Sequence, residues 1–405
     1  MESKLALEGF KVIDLTQWGA ASMAASLLSQ WGAEVIHVER PERGDGARGI
    51  QAGVGVAVVQ QHRVNYMWEL TNLNKKSLAV DISQKEGKEI VYRLAAKCDV
   101  FLSNLRNREL AKFDMDYNTI RKKNPSIIYA NLTGFGPEGP DSDFPGFDSL
   151  AYFARAGVTY MLSRPGEAPV FTRPASGDYA TGMTCACGIV VALLAREKQG
   201  VGQAVYTSLF RNGVWSGLDI QGALMTHQDA EVPARESVAN PLVNYYRTKD
   251  KRWVALAHLQ SDTYWHDICQ AVELEKLEND PRFNSFPKRA ENNVALIAII
   301  DDAFSRRTSI EWKERLTNFG LAFGLIQKPS EVINDIQARA NDFFVEFDHP
   351  SYGPVEFVAA PIKFSETPGT FRTPAPELGQ NTEEILLDLG YKWDDISHMR
   401  NKNVI

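Results

Sequence analysis

The sequence predicts an α/β protein built on a parallel sheet, on three observations. Apolar strand-like runs recur at residues 10–16 (FKVIDLT), 33–39 (AEVIHVE), 99–103 (DVFLS) and 127–132 (IIYANL). Helix-forming segments alternate with them at 19–31, 85–97 and 116–123. Such alternation builds a sheet covered by helices on both faces.

The elements follow in order. Residues 10–39 read as a βαβ unit: strand, an Ala/Leu/Met-rich helix, then a strand ending at Glu39 and Arg40. In the helix at 85–97, Ile90, Val91 and Leu94 share one face. Ligands of such folds sit beyond the carboxyl ends of strands, which singles out Thr16–Ala20, Glu39–Arg40 and Asn104–Arg106. A Gly/Pro/Asp-rich stretch spans 134–148. A long helix is predicted at 179–197, preceded by Ala175-Ser176-Gly177-Asp178 and stopped by Gly200-Val201-Gly202. Residues 203–210 read as a strand or as the start of another helix. From about 225 to 325 Trp, Tyr and charged residues increase, which suggests a smaller α+β domain. A Pro-rich segment at 365–376 and a final helix near 381–389 close the chain. The predicted division is a large doubly wound, Rossmann-like domain of residues 1–200 and 330–405, a small domain of 225–325, and linkers at 201–224 and 326–329.

Composition narrows the function. The 405 residues carry 44 Lys+Arg against 51 Asp+Glu, a net charge of −7, with 44% hydrophobic residues. A mildly acidic chain without a basic cluster argues against nucleic acid as a partner. No stretch of about 20 apolar residues and no signal-peptide core are read, so no membrane span or membrane partner is expected. Four cysteines do not make a disulfide framework. A reducing compartment, the cytoplasm, is expected.

Each candidate site has a plainer structural role beside its functional one. Glu39 stands where the ribose partner of a nicotinamide nucleotide would, but the Gly-x-Gly-x-x-Gly turn is missing from the first loop, where Trp18 would crowd a pyrophosphate. Gly134-Phe135-Gly136-Pro137-Glu138-Gly139 matches that spacing only formally, because Pro137 and Pro140 prevent a helix there. A nicotinamide-binding α/β protein is therefore a distant alternative. Cys185 and Cys187 point to different faces of one helix, and neither they nor the scattered histidines have metal-ligand spacing. Asp178 reads as a helix N-cap, or as a nucleophile on a tight Gly turn whose free N–H groups, at Asp178–Ala180, could stabilise an oxyanion.

Several separated blocks resemble the family III CoA-transferases, the formyl-CoA/carnitine CoA-transferase (CaiB/BaiF) group. They are GFKVIDLTQWGA (9–20), SQWGAEVIHVERPERGD (29–45), NLNKKSLAVDI (72–82), DVFLSNLR (99–106), NLTGFGPEGP (131–140), SGDYATGM (176–183), DPRF (280–283) and the stretch from PIKFSETP to EILLDLGY (361–391). The resemblance covers essentially the whole chain. It implies that Asp178 is a covalent nucleophile and that coenzyme A, carried as acyl-CoA, is the co-substrate, with no metal. Arg40, Val80, Asp81, Ile82, Ser83, Asn104, Leu105, Arg106 and Lys112 take the positions of CoA contacts. Gln17, Trp18, Gly19, Phe147, Asp148 and Tyr179 take positions near the acyl group.

On this reading an Asp178 carboxylate, ionised at pH 7 by its ordinary pKa of about 3.9, attacks a donor thioester and passes CoA to a small carboxylic acid. The fold implied is an interlocked homodimer. Gly19 replaces the Gln of formyl-CoA transferases, which argues against oxalate. Racemases on the same fold need a His where Phe147 stands, which leaves an acyl-CoA racemase or an intramolecular CoA-transferring isomerase as the alternative. The segment 145–158 looks most like enzymes acting on (R)-2-hydroxy acids and their enoates, such as phenyllactate and 2-hydroxyisocaproate, and Trp18, Phe147 and Tyr179 suit an aryl or branched acyl group.

Overall fold

A computed structural model describes residues 5–49, 65–173 and 175–405. Strands β1 (Lys11–Leu15), β2 (Glu34–Glu39), β3 (Lys75–Ala79), β4 (Val100–Ser103), β5 (Ile128–Thr133) and β6 (Ala204–Ser208) form one six-stranded parallel sheet. Its order is β3-β2-β1-β4-β5-β6, so the winding reverses between β1 and β4. The crevice at that reversal is where doubly wound sheets bind ligands.

Alternation along each strand explains the two covered faces. Val12, Val35, Val100 and Ile128 enter one core with α1 (Ala20–Gln30) and the long helix Ser176–Gln199. Their neighbours Ile13, Ile36, Phe101 and Tyr129 enter the other. The second core is closed by α3 (Lys85–Ala95), which follows α2 (Tyr66–Asn72), and then by α4 (Asn107–Phe113) and α5 (Tyr117–Lys123). It also takes Ile385, Ile396, Met399 and Val404 from helices Thr382–Asp388 and Trp393–Asn401 and the chain end. Strand β3 lay inside a motif block but was not read as a strand: Lys75, Lys76 and Ser77 hide its apolar character.

Helix α6 (Ser176–Gln199) is long and apolar enough to cross a bilayer by length and composition. That corrects the sequence reading, in which its Gly, Thr and Cys residues masked the run. Here it packs on α1, burying Gly182, Cys185, Ala186 and Ile189. Residues 201–224, read as a linker, instead hold β6, α7 (Leu209–Ser216) and the start of α8 (Leu218–Thr226). The run at 203–210, expected to be a strand or the start of a helix, is both: β6 ends at Ser208, whose hydroxyl caps α7.

The chain divides into two compact units. One comprises residues 1–163, 169–230 and 342–405, including a hairpin of Phe344–His349 with Gly353–Val358. The other, residues 164–168 and 231–341, is α+β. It has a three-stranded antiparallel sheet, Val243–Arg247, Trp253–Ala257 and Phe323–Leu325, and its own core around Tyr246, Phe304 and Trp312. All sequence-nominated site residues lie in the first unit.

Candidate active site

Two loops at the sheet reversal build the site. The first, after β1, is fixed by β4's loop: the Asn104 side-chain amide donates to the Gln17 carbonyl at 2.7 Å, and its oxygen accepts from the Gln17 N–H at 3.0 Å. Asn104, nominated as a CoA contact, thus also holds Gln17 in place. Trp18 follows with φ +67°, the left-handed region that bulky residues rarely enter. Its N–H donates to Asp45 Oδ1 at 3.1 Å.

Asp178 comes to this loop because two helices nearly touch. At Gly182 of α6 an added Cβ would stand 2.6 Å from the Ala20 carbonyl of α1. Asp178 is one turn earlier on the same face. It therefore lies against Gly19, where an added Cβ would be 2.5 Å from Asp178 Oδ2. Asp178 is not the N-cap, contrary to the plainer sequence reading. The cap position belongs to Ala175, at φ +76°, and Asp178 sits in the first helical turn.

Asp148 takes over the capping. Its buried carboxylate accepts the N–H groups of Ala175 and Gly177, while its Oδ2 has no partner. Gly177 is packed on Tyr152, with no room for a side chain. The Tyr179 N–H donates to the Ala175 carbonyl at 2.9 Å. The N–H groups read as an oxyanion site at Asp178–Ala180 are thus partly committed within the helix.

Burial, reinforced by the Asp148 charge, pushes the Asp178 carboxyl up to about 7. This corrects the expectation of an ordinary, fully ionised aspartate at neutral pH: the first helical turn does not compensate for desolvation and a neighbouring acid. Trp18 and Phe147 meet edge to face beside it, with ring centroids 6.2 Å apart. Both are exposed, as is Tyr179.

The nominated CoA residues separate into two sets. Arg40, Val80, Asp81, Ile82, Leu105 and Lys112 line one cleft of about 300 Å³ beyond the carboxyl ends of β1, β2 and β3, shared with Gln17. Arg106 does not line it; its guanidinium forks onto Glu109, at 3.0 and 2.8 Å. Ser83 donates to Asp81 Oδ1 at 2.7 Å and lines a different hollow. Glu39 cannot hold a ribose. Its carboxylate is buried and taken by the Arg48 fork, the Ser77 hydroxyl and the Asp45 N–H. Among the described residues no group of three or more His, Cys, Asp and Glu side chains is arranged to hold a metal.

The profile of CoA-transferase family III matches residues 7–382. The chain belongs to CoA-transferase family III. It is 34% identical to the (R)-2-hydroxy-4-methylpentanoate CoA-transferase of Clostridioides difficile over 402 residues, covering 98% of this chain and 99% of that one. It is 30% identical to the cinnamoyl-CoA:phenyllactate CoA-transferase of Clostridium sporogenes over 401 residues, covering 98% and 97%. A CaiB/BaiF family protein from Brucella suis superposes with a TM-score of 0.82 at 25% identity, over 95% of this chain and 100% of that chain. This protein is accordingly a CoA-transferase.

This CoA-transferase also carries a buried ionic network that the sequence reading missed. Asp14 Oδ2 accepts from Lys75 Nζ at 2.7 Å and lies 3.0 Å from His37 Nδ1, all three side chains fully buried. His37 Nε2 faces Asp45 Oδ2 at 3.6 Å, and Asp45 holds Trp18. The available signal was Asp14, His37 and Lys75 interrupting strands of a fully buried sheet.

Proposed function

We propose that this enzyme moves CoA between small carboxylic acids through a covalent intermediate on Asp178. The observation that carries the reading is the Asp178 carboxylate, pressed against a loop that admits it only because residue 19 has no side chain. The ionised carboxylate attacks the donor thioester carbonyl and expels CoA thiolate, forming a mixed anhydride. The thiolate attacks the aspartyl carbonyl, releasing the donor acid and leaving an aspartyl-CoA thioester. The acceptor carboxylate attacks that thioester, and the returning thiolate takes the acceptor acyl group, restoring Asp178. One thioester is exchanged for another, and no step calls for a metal.

CoA lies in the Arg40–Lys112 cleft, where the two cations face its phosphates. The acyl group lies against Trp18, Phe147 and Tyr179, and the exchanged acid is a branched or aryl 2-hydroxy acid or its enoate. The names of the two relatives support that substrate class. The enzyme acts as a homodimer. Supporting this is the apolar surface at the α7–α8 junction, where Trp215 and Leu218 are 88% and 85% exposed. Its four free thiols suit the cytoplasm.

The test is mass spectrometry after mixing with 2-hydroxy-4-methylpentanoyl-CoA or cinnamoyl-CoA and trapping with hydroxylamine. A hydroxamate mapped to Asp178, absent from Asp178→Asn, is expected. Absence of any adduct, or full turnover by Asp178→Asn, overturns the reading. Epimerisation of an acyl-CoA with no acceptor acid present would redirect it to an isomerase.

A further inference from the structure

We infer that Gly46 determines the size of acyl group this enzyme accepts, by giving the Trp18 indole its seat. The inference rests on the Asp178 reading and adds to it a residue that touches neither CoA nor the nucleophile.

The placement of Trp18 is over-determined. Its backbone sits at φ +67°, a conformation that persists only where surroundings impose it. One constraint is the N–H bond to Asp45 Oδ1. The next is Gly19, wedged against Asp178. The third is Gly46: a Cβ built there would stand 2.7 Å from Trp18 Cζ2 and 2.9 Å from Cε2. The six-membered ring of the indole therefore rests directly on the main chain of residue 46, and its other boundary is the edge contact with Phe147.

Gly46 is not left-handed, so the backbone does not require a glycine there; the indole does. Any side chain at 46 evicts the ring from its seat. The ring is 39% exposed, so its free direction is the open side. On the proposed reading, the acyl group joined to Asp178 lies against this exposed ring. A displaced indole removes space from a large acyl group and leaves a small one room. Pocket differences of one methylene discriminate by roughly 10- to 200-fold.

The experiment measures kcat/KM for 2-hydroxy-4-methylpentanoyl-CoA and for lactoyl-CoA, with one acceptor acid, in the wild type, Gly46→Ala, Trp18→Ala and the double variant. The expected result is a fall of about tenfold or more in the large-to-small ratio for Gly46→Ala. In the Trp18→Ala background the same substitution, with no ring to displace, changes the ratio by less than about twofold. The double variant lacks the clash, so it reports even where Gly46→Ala folds poorly: an equally large change there overturns the inference. So does an unchanged ratio in Gly46→Ala when the wild type forms its Asp178 adduct. A wild type that forms no Asp178 adduct with either donor overturns the underlying reading and this inference with it.

Discussion

Gly19 and Asp178 are packed so tightly that a Cβ on Gly19 would stand 2.5 Å from Asp178 Oδ2 and 3.0 Å from its Cγ. Gly19 itself has φ −88° and ψ −74°, which any residue tolerates. Gly19→Ala should therefore leave the backbone intact and push the carboxylate aside. Misplacing a reacting group by about 1 Å costs on the order of 100-fold in rate. The expected outcome is a kcat reduced by about that factor with CoA binding and circular dichroism unchanged, read from steady-state kinetics and calorimetric titration.

On the proposed mechanism, Asp178 gives the reaction its pH dependence. The attacking form is the carboxylate, and burial together with Asp148 holds the group to about 7. kcat/KM should rise with pH through about 7 and level off above it. Asp148→Asn removes the neighbouring charge, so the midpoint should move to lower pH. Linkage gives a second check. The folded chain keeps this proton while the unfolded chain, at 3.8, has lost it, so stability falls as pH rises from about 4 to about 7. Asp178→Asn lacks that fall and should exceed the wild type in urea midpoint at pH 8 by more than at pH 4.5.

The sheet was legible because its strands and helices alternate plainly: FKVIDLT, AEVIHVE, DVFLS and IIYANL all form strands within one residue of the expected limits. β3 escaped because Lys75 is buried as an ion-pair partner, which composition reads as surface. Asp178 stood out as Gly-Asp before a long helix, but its raised pKa did not, since that depends on burial in the folded chain and on Asp148, 30 positions away in sequence. Arg106 and Asn104 were nominated by position, yet their side chains are engaged by Glu109 and Gln17. A motif specifies residue type and location; it does not show which side chains remain free.

The Lys75–Asp14–His37 network makes a stability prediction with a definite sign. Burial opposes the charge on Asp14, but Lys75 and His37 outweigh it and hold the carboxyl well below the carboxylate range. Burial likewise opposes charge on His37, and Asp14 together with Asp45 outweighs it, raising the imidazole to about 9. The stability contributed by His37 is complete below its unfolded value of 6.5 and is lost as pH rises through about 9. Removing one partner of a buried pair costs roughly 3–5 kcal/mol. Lys75→Met should lose about that much at pH 7 in urea denaturation, and the wild type should be less stable at pH 9.5 than at pH 6.5.

Arg40 tests the placement of CoA. It is exposed, lies just past β2 and lines the same cleft as Val80, Asp81 and Lys112. A guanidinium contact to phosphate is charge-assisted and loses strength with added salt. Arg40→Glu should raise KM for the acyl-CoA by about tenfold or more at low salt, with the deficit narrowing at high salt and kcat little changed. A drop confined to kcat would place CoA elsewhere.

The proposed homodimer can be tested at α8 without disturbing the helix. Leu218, 85% exposed, opens this helix directly after Gly217, and Leu224, 68% exposed, lies in its last turn. An acid in the first turn and a base in the last both favour the helix dipole. Leu218→Asp combined with Leu224→Lys therefore preserves or strengthens α8 while placing two charges on the apolar surface. Buried at an interface, unpaired charges cost several kcal/mol each. Sedimentation velocity at micromolar concentration should show a dimer for the wild type and a monomer, or a concentration-dependent mixture, for the double variant, with helix content unchanged. A monomeric wild type would remove α8 as an interface, and a dimer unaffected by both charges would put the contact on another face.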